Sequence, residues 1–570
     1  MNEISIPLEI LANLADLEAH PLARDASPET LYADIGARYE FLSPRVEVQL
    51  SDATATIRWA PETEEDQAEA ARLFERAGRR AREGEYERVT ALCRRALRLQ
   101  PELREARRKL VCAYLQTGDG AYAQTALRQA LWLDPRDVWS LVTLAGLLVE
   151  GGEADKAERL ACMALQLEPA NAEAIEAMGR AQLLAEQAPE ALGAFGRALL
   201  IKPQSTGARL GAARALLRCD QPDESLELLQ GVFAAAGANQ RTTPEITEAR
   251  NLYAQAQEVL ARRDLDQIRQ AVRDFGRRLE QEGGLPIRFS EAHDLWAWIE
   301  NGWTNDRPYH LVACASGLPE PLRLHLTAHE LMHLQTDLEA HRAGLLRAAD
   351  PAGSLREFRV LCAGAAHDLR RRGADSEMIE RAIQEALQCC AEAIHGYPLD
   401  MVVEARLRAE LPLLRPVQFL SQRHFMPMPD RLDLNPRLRR ILPRPMLQAV
   451  EAVSGAYYIS IDHLHHGATQ FAARYQGRPT FGLMQELFAR WQARFPRLGP
   501  GGHFELVDEF AERLGLKRLC QWQYFPATPA LAAGVEACGS DESMREKMFK
   551  PEAPSVPQPP NAAPRLVFSP

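Results

Sequence analysis

LRLQP (residues 97–101), LWLDP (131–135), LQLEP (165–169) and LLIKP (199–203) end in Pro101, Pro135, Pro169 and Pro203, each 34 residues after the last. Small residues recur in phase with these prolines. Ala96, Ala130, Ala164 and Ala198 form one series, and Ala77, Val111, Ala145, Gly179 and Ala213 form a second. Ala123, Ala157 and Ala191 form a third. Small side chains let antiparallel helices approach closely, and a proline that cannot continue a helix marks the turn into the next hairpin.

This period and its phases resemble the tetratricopeptide repeat. Five repeats are expected over residues 70–239, with a capping helix over Pro244–Arg262. The resemblance implies an α-solenoid whose concave surface binds a protein or peptide segment. The first repeat is dense in Arg and Lys, as in CRRALRLQPELREARRK (93–109). That pattern fits either a solvated outer face or a basic groove for an acidic partner. Ahead of the repeats, RVEVQLSDATATIRW (45–59) alternates about Ser51-Asp52 and predicts a β-hairpin. Residues 1–62 form either a small separate domain or an edge that packs elsewhere.

At 570 residues the chain is too long for one core. The net charge of -11 argues against nucleic acid as the main partner. No apolar run is long enough to cross a bilayer. The first residues lack the basic-then-apolar pattern of a secretory signal. The ten cysteines are scattered, with no C-x-x-C pair. A reduced, cytoplasmic setting is the expectation.

The 34-residue beat stops after Arg262. A connecting helix is expected to end at Gly283-Gly284, then a strand over 309–315, then a long helix that holds TAHELMHLQTD (327–337). On a helix, His329 and His333 lie about 400° apart, so two imidazoles one turn apart can reach one ion. Glu330 points about 100° away from His329 and can reach a water held by that ion. Its carboxylate takes the water's proton as the water attacks a carbonyl. This is why H-E-x-x-H spacing suits hydrolysis.

A catalytic zinc takes three protein ligands and leaves a position for water. Thr336 and Glu339 stand where a metzincin needs glycine and histidine. His341 lies about 12 Å further along the same helix than His333. The third ligand therefore comes from a later helix, and GYPLDMVVEARLRAELP (396–412) offers Glu404. Asp400 shares its face and can orient a ligand imidazole. Glu410, Glu357 and His367 are the other candidates. A helical pair over 355–372 and 376–394 fills the gap.

The layout of two motif histidines and a later glutamate resembles the gluzincin group of zinc peptidases, over about residues 305–410. The resemblance implies one zinc ion on His329, His333 and Glu404, with Glu330 as general base. The separation of 71 residues between His333 and Glu404 is longer than in compact members. In GAYYISIDHLHHG (455–467), Tyr458 and His463 are candidates for stabilising an oxyanion, although core packing or a polar helix end is the plainer explanation.

The expected architecture is mainly α. Residues 1–62 carry the hairpin, 63–262 the solenoid, and 263–540 an α+β zincin-like metallopeptidase domain with a helical C-terminal subdomain. Residues 541–570, rich in proline and alanine, are expected to be a disordered tail. The alternative is a non-catalytic adaptor with a vestigial metal-binding domain. The intact Glu330 favours the enzyme, since a purely structural zinc site needs no base.

Overall fold

The structure, a computed structural model, describes residues 2–16, 22, 27–43, 45–51, 53–236, 243–292, 296–427 and 436–527. The expected tail at 541–570 lies outside them. The chain forms two compact units, Met1–Leu228 and Leu229–Pro570.

The first unit opens with β1 (Asn2–Pro7), α1 (Leu8–Ala15), α2 (Pro28–Arg38), β2 (Glu47–Leu50) and β3 (Thr54–Trp59). β2 and β3 are antiparallel, as the hairpin pattern predicts, and β1 joins the other side of β3. Ten helices follow as five hairpins. They are α3 (Glu64–Arg82), α4 (Tyr86–Leu99), α5 (Arg104–Thr117), α6 (Gly120–Leu133), α7 (Val138–Glu150), α8 (Ala154–Leu167), α9 (Ala172–Leu184), α10 (Ala188–Ile201), α11 (Thr206–Arg218) and α12 (Pro222–Ala236). The unit boundary falls within α12.

The in-phase residues do what their size allows. Ala77, Val111, Ala145 and Ala213 are fully buried where helices meet. The structure adds a periodic feature of its own. The chain enters the left-handed region between the helices of each hairpin, at Gly84, Gly118, Gly152, Glu186 and Asp220. These positions are also 34 residues apart. Glycine takes this conformation without steric cost, while Glu186 and Asp220 adopt it against their Cβ atoms.

The N-terminal segment packs on the repeats. Tyr39 is fully buried, its hydroxyl donates to the Trp132 carbonyl at 2.6 Å, and its ring meets Trp132 edge-on. The Arg107 guanidinium lies over the Phe41 ring at 5.0 Å. Ile6, Ile57 and Trp59 belong to the same apolar cluster as Leu110 and Leu127. Trp132 is in the last turn of α6, where carbonyls lack helical partners, so Tyr39 completes the end of that helix. Tyr39→Phe is expected to destabilise this unit by about 1–3 kcal/mol, read as a lower urea midpoint with an unchanged slope. An unchanged midpoint would show that the segment adds nothing to the repeats' stability.

After the end of α12, the second unit continues with α13 (Pro244–Arg263) and α14 (Leu265–Gly283), which ends at a left-handed Gly284. α13 runs to Arg263, one residue past the expected boundary at 262–263. The α13 ring of Tyr253 meets Phe419 edge-on at 5.2 Å, and α14 contributes Ile268, Val272, Phe275 and Leu279 to the core. Then come β4 (Ile287–Glu291), β5 (Ala297–Glu300), β6 (His310–Cys314) and α15 (Glu320–Arg342). β6 is the middle strand, parallel to β4 and antiparallel to β5.

Next are β7 (Leu346–Ala349), α16 (Pro351–Arg371), α17 (Ser376–Ala391), α18 (Tyr397–Glu410) and α19 (Arg415–Phe425). α20 (Pro436–Ile441), α21 (Arg444–Leu464), α22 (Phe481–Arg494), α23 (Gly502–Arg513) and β8 (Trp522–Phe525) complete the described part. β8 pairs antiparallel with β7. α16 and α17 are the expected helical pair. Pro398 in GYPLDMVVEARLRAELP suggests that α18 begins afresh there. Instead α17 runs into α18 through one π turn at Glu392–Gly396, and Pro398 sits in the first turn after it. The wider π turn rearranges the backbone hydrogen bonds where proline has no N–H to give. The second unit is thus mainly helical with small sheets.

Candidate metal centre

α15 is the central helix of the second unit, with 18 of its 23 residues buried. Leu324, Ala328, Leu331 and Leu338 join the core that α14 also lines. Another face is polar although buried. Four-residue spacing stacks His325, His329 and His333 along one line, each about 6 Å beyond the last. On α18 the same spacing stacks Asp400 and Glu404, both buried. Val403 and Leu407 anchor the flank of α18 in the same core as α15.

The two rows mesh as a ladder. His325 Nε2 lies 3.2 Å from Glu404 Oε2, and His329 Nδ1 lies 2.9 Å from Glu404 Oε1. His333 Nε2 lies 3.2 Å from Asp400 Oδ1 and 3.2 Å from His329 Nε2. His329 Nε2 lies 3.4 Å from Asp400 Oδ1. Gln418 of α19 donates to Glu404 twice, to Oε2 at 2.7 Å and to the backbone carbonyl at 2.9 Å.

Two groups of donor atoms result, and each can hold a metal ion. One is the buried set His325, His329 and Glu404; the other is His329, His333 and Asp400. Both use His329, one through each ring nitrogen. The donor chemistry fits a divalent ion: imidazole and carboxylate suit zinc, and also manganese, iron or cobalt.

The electrostatics match a site rich in electron pairs. Burial opposes a charge on His329, but hydrogen bonds to Asp400 and Glu404, and their charges, prevail and raise its pKa well above the ordinary value. Burial also opposes ionisation of Glu404, yet the charge and hydrogen bonds of His325 and His329 prevail and hold it well below the usual carboxylate range. Burial pushes the Glu330 carboxyl up, against the pull of His329 and His333.

His333 and Glu330 both line a cavity of about 390 Å³. Ile299 of β5, Thr336, Asp337, His395 and Trp522 form other parts of its wall. His395 lies 3.2 Å from Cys520 Sγ, and burial lowers its pKa to about 4. The structure sets His333 and Glu404 each beside His329, but the expected set His329, His333 and Glu404 is not one donor group. It does not bring Tyr458 or His463 to the wall of this cavity. Tyr458 is buried against Tyr475, with the Arg474 guanidinium 4.8 Å from its ring. His463 is exposed at the end of α21, its ring 5.4 Å from that of Phe488. On α21 it is Tyr457, stacked on Tyr397 at 5.0 Å, that feels the carboxylates. Burial, then the charges of Glu404 and Asp400, raise its pKa well above the ordinary value. Glu410 pairs with Arg406 and accepts from Gln335, away from the ladder. Glu357 and His367 are on α16 and belong to neither donor group.

Sequence reasoning missed His325, although it stands four residues before His329 and continues the same line. It also missed Gln418, which carries no motif.

The tetratricopeptide repeat family matches residues 182–241, and the first part of the chain carries such repeats. Among similar solved structures is MamA from Desulfovibrio magneticus RS-1, at 18% identity over 30% of this chain and 98% of that one, with a TM-score of 0.28. Pseudomonas aeruginosa pilF is 19% identical over 35% of this chain and 93% of that one, with a TM-score of 0.28. YrrB, described as a TPR protein with an unusual peptide-binding site, is 20% identical over 31% of this chain and 91% of that one, with a TM-score of 0.26. No curated protein matches the chain. Among the described residues, no helix is long and apolar enough to cross a membrane.

Proposed function

We propose that the second unit is a metal-dependent peptidase of zincin type, and that the repeats engage its protein or peptide substrate. The observation that carries this reading is the position of Glu330. It shares one cavity wall with His333, one residue along from a histidine in both donor groups. His329 and His333 would hold a single zinc ion, with a carboxylate from α18.

When bound, the ion would supply Lewis acidity, polarising a substrate carbonyl and making water a better nucleophile near neutral pH. The remaining work falls to the chain's own residues. Glu330 takes the water's proton at its carboxylate, holds it, and returns it to the leaving amine. Its burial favours holding that proton, since it raises the carboxyl's pKa. The apolar parts of the cavity, Ile299, Leu355, Leu387 and Phe504 among them, exclude water around an apolar side chain of the substrate. β5 is an edge strand whose Ile299 reaches that wall, so an extended peptide can add to the sheet beside it.

Metal removal tests this. Dialysis against 1,10-phenanthroline should abolish cleavage of a mixed peptide library by the full chain, and one equivalent of zinc should restore it. Cleavage that survives complete metal removal would overturn the reading. So would the failure of zinc-replete protein to cut any member of the library.

A further inference from the structure

Resting on the reading that a metal ion sits at the histidine pair of α15, we propose that Asp400 is the carboxylate that ligates it. Glu404, with His325 and Gln418, is then a positioning group that holds His329 from behind.

Spacing separates the two α18 carboxylates. Tetrahedral zinc with bonds of about 2.0–2.1 Å needs ligand atoms about 3.3–3.4 Å from one another. His329 Nε2, His333 Nε2 and Asp400 Oδ1 form a triangle with sides of 3.2, 3.2 and 3.4 Å. Glu404 meets His329 at the opposite nitrogen, Nδ1, and His333 is absent from its donor group.

Hydrogen-bond accounting agrees. Glu404 accepts from His329, from His325 and from Gln418, so its buried charge is already satisfied by protein. In the neutral ring that a metal ion requires, a proton on His329 Nδ1, given to Glu404, leaves Nε2 with a lone pair. That lone pair faces the Asp400 carboxylate and His333 Nε2. Three such atoms need a cation among them, a proton or a metal ion, and the near-equal sides of the triangle suit a metal ion. A cation on the Glu404 side would have to displace the His329 proton and compete with the donors from His325 and Gln418. An imidazole pinned at Nδ1 by a carboxylate is the usual support for a metal-binding Nε2.

The test reads metal and not turnover. Purified full-length chain is loaded with zinc, dialysed, and assayed for zinc per chain and for affinity against a chromophoric chelator. Expected are one zinc in the parent chain, none in His333→Ala or Asp400→Ala, and one in both His325→Gln and Glu404→Gln. Glu404→Gln should bind about 10–100-fold more weakly at unchanged stoichiometry. A purely structural role for Glu404 would move thermal unfolding and leave that affinity alone. Loss of zinc in His325→Gln with retention in His333→Ala would overturn the proposal, as would two zinc ions per parent chain. If Glu404→Gln does not fold, the contrast between His325→Gln and His333→Ala still decides. A chain that binds zinc in this pattern yet cleaves no peptide would sink the peptidase reading alone.

Discussion

Glu330→Gln is expected to keep a full complement of zinc and to lower kcat/KM for peptide cleavage by about 10²–10⁴-fold. Glutamine preserves the size and the hydrogen-bonding reach of the side chain but accepts no proton. Glu330 belongs to neither donor group, so metal content should not change. It lines the cavity that His333 shares, where the proposed reaction would place the attacking water. Burial holds the parent carboxyl above its ordinary pKa, which favours its taking a proton. Metal analysis beside a peptide-cleavage assay measures both halves. Parent-like turnover in the variant would remove Glu330 from the chemistry and, with it, the strongest reason to regard the second unit as a hydrolase.

Phe195→Ala is expected to cost about 3–5 kcal/mol in the first unit. The ring is fully buried between two backbones. A Cβ built on Gly179 would sit 3.0 Å from it, and one on Gly211 only 2.3 Å from it. Both positions are helical and lack a side chain because the ring occupies their space. Removing the ring opens a cavity whose walls are helix backbone, which cannot easily collapse to fill it. The ring bridges α9 and α11, and each repeat of such an array is held only by its neighbours. Unfolding should therefore split into two steps, with hydrogen exchange rising first in α9, α10 and α11. A single transition at the parent urea midpoint would contradict this account.

The repeats were legible because the features that build them are local and recur. One proline and three small positions per 34 residues suffice to define a helical hairpin. The left-handed turn series was harder to see. Gly84, Gly118 and Gly152 announce it, but Glu186 and Asp220 continue it with residues that rarely adopt that backbone. The H-E-x-x-H pair was legible for the same local reason, since a helix fixes where residues four apart point. The division of labour between Asp400 and Glu404 was not. Both lie on one face of α18, and which of them meets which nitrogen of His329 depends on how α18 lies across α15. That placement comes from core contacts such as Val403 and Leu407 with the α15 leucines, which no single stretch encodes. Of the strands of the second unit, only β6 was foreseen. The others are no longer than β6, and none of them directly precedes the long helix that marks β6 in the sequence.

The π turn at Glu392–Gly396 has a bearing on how this ladder came to be aimed. One surplus residue in an otherwise continuous helix advances everything downstream by about 100° of rotation. Both α18 carboxylates owe their bearing toward α15 to that extra step. A lineage that lost a single codon there would keep its helix, its core composition and its histidines, yet would swing both acids out of alignment together. The meeting of the two rows could thus be gained or lost by an indel, without a change in any residue of either donor group.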